Sequence, residues 1–409
     1  MLRIHPFAAI RPAPSHESKV ASPPYDVVTA EEARTLAAGN PECFLRVSRS
    51  EIDLPTDTDP YAPIVYQTAG TAFNRFLDEE ILIRDREPRM FLYRQVWQHR
   101  AQVGLVCCCH VDDYERDIIK KHEKTRRIKE DDRTRHVLAL NANAGPVFLA
   151  YRDVEEIALR AQQDMNARPM YHFVAADGVT HTVWPVQDAS EYERAFRRVP
   201  AAYVADGHHR AASAARAAAE RRAGNPHHRG DEEYNWFLAA LFPASQLRIL
   251  AYNRILRTLG SMTAEAAVTQ LGYIGRITRT HHPIPERAGV FCCYIAGCWY
   301  RVEFDAGSID PGDPIASLDV SLIQDRVLGP IFGIGDPRTD ERIDFVGGIR
   351  GRQHLQHLVD SGQAAAAFAL HPTSIEQLMA VSDAGLIMPP KSTWFEPKLR
   401  SGLLIHSLD

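Results

Sequence analysis

The chain has 409 residues, 45% apolar and 24% charged, ordinary globular values over a length that exceeds one compact core and points to two or three lobes. A formal net charge of −5 gives no whole-molecule attraction to nucleic acid or acidic membranes, so any polyanion site must be local. Seven cysteines, three of them consecutive at Cys107 to Cys109, form no disulfide framework, and no apolar run approaches the ~20 residues of a membrane span; with Pro6 interrupting the first segment, a cytoplasmic protein without a membrane or nucleic-acid partner is expected.

In chain order, a proline-punctuated extended segment leads to Thr29-Ala30-Glu31-Glu32, a capping box that starts a short helix ended by Gly39. Ala69, Ala72, Phe73 and Phe76 mark one face of a helix over Tyr66 to Glu79. Met90 to Trp97 and Val103 to Cys109 read as an antiparallel pair, Pro146 to Tyr151 as a strand, and Tyr171 to Val186 as a hairpin turning at Asp177-Gly178. Pro200 to Val204 reads as a buried strand and Ala211 to Ala223 as a helix. Trp236 to Phe242 returns to the core. Beyond a boundary near Leu259, Thr263 to Leu271 suggests a helix, Val290 to Ile295 with Trp299 to Phe304 a hairpin, and the run Ala364 to Ala367 helix filler. Thr373-Ser374-Ile375-Glu376 is read as a second capping box. The expected class is α+β, with mixed and antiparallel sheets in lobes 1–150, 151–260 and 261–409.

The densest chemistry lies between the buried strand and the alanine-rich helix, at Ala205-Asp206-Gly207-His208-His209-Arg210. Helix starts favour acids and hydroxyls, because the first amides point outward unpaired and carry partial positive charge. Here the start carries His208, His209 and Arg210. A bound phosphate reverses that conflict by pairing with the side chains and the open amides. On this reading Arg210→Ala or His209→Ala abolishes nucleotide affinity and leaves the melting temperature little changed.

Three further segments are chemically dense. In Ser22-Pro23-Pro24-Tyr25-Asp26-Val27 two prolines fix the directions of Tyr25 and Asp26. From Ile119 to His136, around His122-Glu123-Lys124-Thr125, eight Lys or Arg stand against four Asp or Glu, a local charge of +4. That run includes Lys124, Lys129 and Arg133 and has no aromatics for base stacking, so phosphates on a small molecule fit it better than nucleic acid. Near the carboxyl terminus, Pro389-Pro390-Lys391-Ser392-Thr393 joins a lysine to two hydroxyls but lacks the glycines of a Walker loop. His122-Glu123 has no second histidine at helical spacing, so the zinc-protease pattern fails and no zinc site is assigned.

Taken together, Pro24-Tyr25-Asp26, His122-Glu123-Lys124-Thr125 with Asp132-Arg133, Ala205 to Arg210, Leu318-Asp319-Val320, and Pro389 to Thr393 resemble, in order, a bacterial and archaeal family catalogued as domain of unknown function ten-fifteen. The family's frequent association with serine-biosynthesis enzymes implies a link to serine. Separately, the Asp-Gly-His-His-Arg turn resembles the phosphate-binding turn of the ParB and sulfiredoxin superfamily, whose members bind nucleotides and include free-serine kinases. That resemblance implies a strand-turn-helix nucleotide site in which Gly207, His208, His209 and Arg210 contact phosphates and Asp206 orients the turn or a metal. Sulfiredoxins carry a cysteine in this turn, so sulfinic-acid repair is not expected.

The leading expectation is a kinase moving a phosphoryl group from ATP or ADP, with Mg2+, to the hydroxyl of a small amino acid, serine favoured. Asp26, Glu123 and His209 are the candidates for the reacting centre, Asp26 or Glu123 as base. Asp206 to Arg210, Lys124, Lys129, Arg133, Lys391, Ser392 and Thr393 are candidates for the phosphate cradle. A phosphatase acting on phosphoserine is one alternative, and a nucleotide-sensing ParB-like switch is another. Metal ligands and oligomeric state are not legible.

Overall fold

Strands without polar alternation, Val147–Tyr151 and Trp236–Pro243, are buried along nearly their whole length, as strands covered on both faces must be. They pair in parallel at the middle of a nine-stranded mixed sheet. The order is Ile119–Lys120, Ala202–Asp206, Val147–Tyr151, Trp236–Pro243, Arg100–His110, Phe91–Trp97, Thr180–Pro185 and Tyr171–Val174, with Ile4–His5 also on Arg100–His110. This computed structural model describes residues 1–409 and has two compact units, Met1–Leu247 with Pro397–Asp409, and Arg248–Glu396. The class is α+β. Stretches 1–150 and 151–260, expected as separate lobes, both supply strands to the one large sheet.

The expected hairpins are present. Phe91–Trp97 and Arg100–His110 pair antiparallel with Trp97 opposite Arg100. Gln98 and His99 between them both have positive φ, the two-residue turn whose twist suits a hairpin. Cys107, Cys108 and Cys109 are fully buried and act as small core side chains. A four-stranded sheet of Leu82–Arg84, Ala9–Pro12, Ile405–Ser407 and Ala142–Asn143 ties the last residues of the chain into the first unit.

The second unit holds a six-stranded antiparallel sheet in the order Gly275–Arg279, Cys298–Phe304, Val290–Ile295, Ala366–Leu370, Tyr252–Leu256 and Ile343–Gly347. The alanine run expected as helix filler enters the buried strand Ala366–Leu370. Two flanking strands saturate its backbone, so tertiary pairing overrides alanine's helix preference. The second capping box is real but one residue later: Ser374 caps Ile375–Asp383, and Gln377 rather than Glu376 returns the bond.

Helix Arg127–Leu140 buries His136, whose Nε2 donates to the Val47 carbonyl at 2.9 Å. Burial, assisted by Arg133, pushes this imidazole down to about 4. A histidine kept neutral by the fold gives its full contribution above its unfolded value of ~6.5, and loses it as pH falls towards 4. Urea unfolding should therefore show about 3 kcal/mol lost through this one group between pH 7.5 and 4. His136→Gln should flatten that acid limb, and an unchanged limb would show that His136 is not the group responsible.

Candidate functional site

Strand Ala202–Asp206 is apolar and buried until its last residue. Its register against Val147–Tyr151 shifts between Val204 and Asp206, a bulge of the kind that re-aims a side chain beside a site. Gly207 follows with φ +94° and ψ +32°, a left-handed conformation that L side chains rarely adopt. Helix His208–Gly224 then starts with no side-chain cap and no acid in its first turn. The helix begins at His208, not Ala211, so the two histidines and Arg210 form its first turn.

Within that turn the side chains divide by direction. Arg210 donates through Nη2 to Asp206 Oδ2 at 2.6 Å and through Nη1 to the Pro146 carbonyl. Lys398 Nζ lies 3.3 Å from the other oxygen, Asp206 Oδ1. Burial pushes the Asp206 carboxyl up, but Lys398 and then Arg210 reverse this and hold it well below the usual carboxylate range. His208 turns inward, edge-to-face on His122 with ring centroids 4.5 Å apart. Burial keeps both rings neutral near pH 7: it pushes His122 down to about 4, and His208, with His122 adding to the effect, well below its ordinary value. His209 is half-buried, and burial lowers it too, opposed by Asp26 and Glu130.

Three consecutive residues each keep a buried nitrogen with no hydrogen-bond partner in the protein: His208 Nε2, His209 Nδ1 and Arg210 Nε. Buried polar atoms are normally paired. Here three fall on consecutive residues of an uncapped first turn.

The Pro24-Tyr25-Asp26 segment reaches the same head. Tyr25–Val27 is a short 3-10 turn after Pro24, and the exposed Asp26 carboxylate favours the charged forms of both His209 and Arg210. The Arg133 guanidinium stacks 4.1 Å over the Tyr25 ring and pairs with buried Asp132 at 2.9 Å, which also accepts from the Tyr66 hydroxyl at 2.9 Å. A cavity of about 40 Å³ lies beside Tyr25, Arg133, His136, Arg210, Ser213 and Ser401, room for a few waters and too small for a nucleotide. Lys124 is exposed; half-buried Lys129, whose Nζ sits 5.3 Å from the Tyr61 ring centroid, is near enough to the turn to disfavour the charged form of His209. Glu123 lies with His122 and His208, their donor atoms all within 4.8 Å of one another.

Lys391, Ser392 and Thr393 lie in the second unit, where the loop's polar groups hold the loop. The Ser392 hydroxyl donates to the Pro389 carbonyl at 2.6 Å, and its carbonyl accepts from Thr373 at 3.0 Å. Lys391 has φ +59°, its ammonium 5.5 Å from the Tyr252 ring centroid, and its carbonyl accepts from buried Arg254 at 3.0 Å. Asp319 is buried in the same unit and accepts from the Gly289 amide at 2.9 Å. Lys398 and His122 were not among the expected site residues. Neither stands at a telling spacing from the turn, and only the fold brings them there.

No curated protein matches the chain. Among solved structures it is similar to a free serine kinase in complex with AMP, at 11% identity and a TM-score of 0.35 over 71% of this chain and 86% of that one. A conserved hypothetical protein from Pyrococcus furiosus aligns at 11% identity and a TM-score of 0.34, over 73% of this chain and 93% of that one. C-terminally truncated SbnI from Staphylococcus aureus aligns at 11% and 0.37, over 72% and 85%. The sequence profile described as "Protein of unknown function (DUF1015)" matches residues 4–321, a span that holds the Tyr25-Asp26, His122-Glu123, Asp206 to Arg210 and Asp319 motifs, and the chain belongs to that family.

Proposed function

We propose that this protein transfers a phosphoryl group from ATP or ADP to the hydroxyl of a small amino acid, with free serine the favoured acceptor. The observation that carries the reading is the uncapped helix head with its run of unpartnered buried nitrogens. Open amides and the helix dipole favour an anion there, and His209 Nδ1 with Arg210 Nε supplies two more polar atoms on the same turn. Lys129, whose charge acts on His209, and exposed Lys124 are the cations offered to the rest of the polyphosphate.

Phosphoryl transfer asks the protein mainly for positioning and charge neutralisation, with a carboxylate to receive the acceptor's proton. Asp26, exposed beside His209 and Arg210, suits the base better than Glu123, which sits in the histidine cluster. In the proposed step the hydroxyl proton passes to the Asp26 carboxylate, the serine oxygen bonds to the terminal phosphorus, and the bond to the bridging oxygen breaks to release the shortened nucleotide. Asp206 orients the turn through Arg210 and is committed to its two cations. Mg2+ is held in nucleotide sites mainly by the substrate's phosphates, waters and one or two carboxylates, and no step is assigned to that ion.

Protein incubated with serine and ATP or ADP should yield phosphoserine by mass spectrometry. Asp26→Asn should keep nucleotide affinity and lose at least ~100-fold in turnover. Inorganic phosphate released from phosphoserine without nucleotide, and no phosphoserine formed, would replace the kinase with a phosphatase. Loss of nucleotide binding in Asp26→Asn would make Asp26 a ligand contact.

A further inference from the structure

Two strands running in parallel carry their following residues to one edge of the sheet. Ile119–Lys120 pairs in parallel with Ala202–Asp206, Ile119 opposite Ala202 and Lys120 opposite Tyr203. His122-Glu123 follows the first strand and His208 the second, so residues far apart in sequence meet where the strands end. We propose that His122, Glu123 and His208 form a binding site for one first-row divalent transition cation of the Zn2+ or Co2+ type, in which each supplies one ligand atom.

The three donor atoms lie within 4.8 Å of one another. Ligands bound to one ion at 2.0–2.2 Å stand roughly 3–4 Å apart, so modest side-chain rotation closes the set. His122 and His208 are 1% and 7% exposed, and His208 Nε2 has no partner in the protein. Two imidazoles at right angles, 4.5 Å between centroids, point their nitrogens at a common volume more readily than stacked rings do. Burial keeps both neutral, the form that ligates. Two nitrogens and one carboxylate match the preferences of borderline transition cations, whereas Mg2+ selects oxygen shells. Three protein ligands leave a coordination position for water or an anion.

The cation site shares His208 with the helix head but needs no nucleotide, so the two readings can fail separately. Its test is a titration of Co2+ into chelator-treated full-length protein without nucleotide, followed by visible absorption and calorimetry. One equivalent should bind with a ligand-field spectrum, Zn2+ should displace it, and excess Mg2+ should not. His122→Ala and Glu123→Gln should each weaken Co2+ at least ~100-fold. Glu123 is only half-buried, so its variant keeps the fold, and circular dichroism checks both. No Co2+ uptake, equal competition by Mg2+, or affinity unchanged in the two folded variants would overturn the site. Co2+ binding without nucleotide binding would sink the kinase reading alone; nucleotide binding without Co2+ uptake would sink the metal site alone.

Discussion

Arg210→Ala should lower the stability of the first unit by about 3 kcal/mol, because removing one partner of a desolvated ion pair strands the other. The Arg210 side chain is 10% exposed and lies 2.6 Å from Asp206, and Lys398 alone is left to balance that carboxylate at 3.3 Å. The Pro146 carbonyl also loses its donor. For a unit of this size the melting temperature should fall by roughly 6–10 °C. The sequence alone led to the opposite expectation, an unchanged melting point with lost affinity, because the motif does not reveal that Asp206 already holds the guanidinium. Arg210→Lys keeps the charge but not the fork, and about half of the loss should return. A melting curve identical to that of the unmodified protein would show that the guanidinium is not a structural pin.

Gly207→Ala should cost about 2 kcal/mol and weaken anion binding along with it. The residue sits at φ +94°, and an added methyl would lie 2.9 Å from Arg210 Nε and 3.0 Å from its Cζ. Left-handed strain contributes about 1 kcal/mol, and displacement of the guanidinium from Asp206 adds the rest. Gly178→Ala provides the control, since Gly178 has φ +78° with nothing within 4 Å of the added carbon. Urea unfolding should place Gly207→Ala clearly below Gly178→Ala. Equal losses would mean that Arg210 yields without cost, and that its position is not fixed by the glycine.

Local signals were legible and convergence was not. Thr29 with Glu32 forms the capping box its spacing announced, and the Asp177-Gly178 turn joins the strands expected on either side. The helix after Gly207 was recognised by its alanines, and His208, His209 and Arg210 were placed at its start; that they are wound into its regular first turn, with no side-chain cap, shows only in the fold. Ala364 to Ala367 misled because alanine fits a helix intrinsically and a crowded sheet centre by size. At the candidate site, the dense motifs singled out Asp26, Glu123 and the Asp206 to Arg210 turn, and the fold brings Asp26 near His209 and Arg210 and Glu123 near His208. The commitment of Asp206 to Lys398, and the meeting of His122 with His208, depend on strand order and could not be read from spacing. Equally, the sequence does not tell which histidine of the pair turns inward; in the fold His208 is buried and His209 half-buried.

Calorimetric titration of ATP and of ADP into the intact protein and into His209→Ala tests most directly whether a polyphosphate completes the helix head. One nucleotide should bind per chain, with affinity reduced at least ~10-fold in His209→Ala, which should fold and melt normally. Absence of binding by either nucleotide, or equal binding by the two proteins, would contradict it.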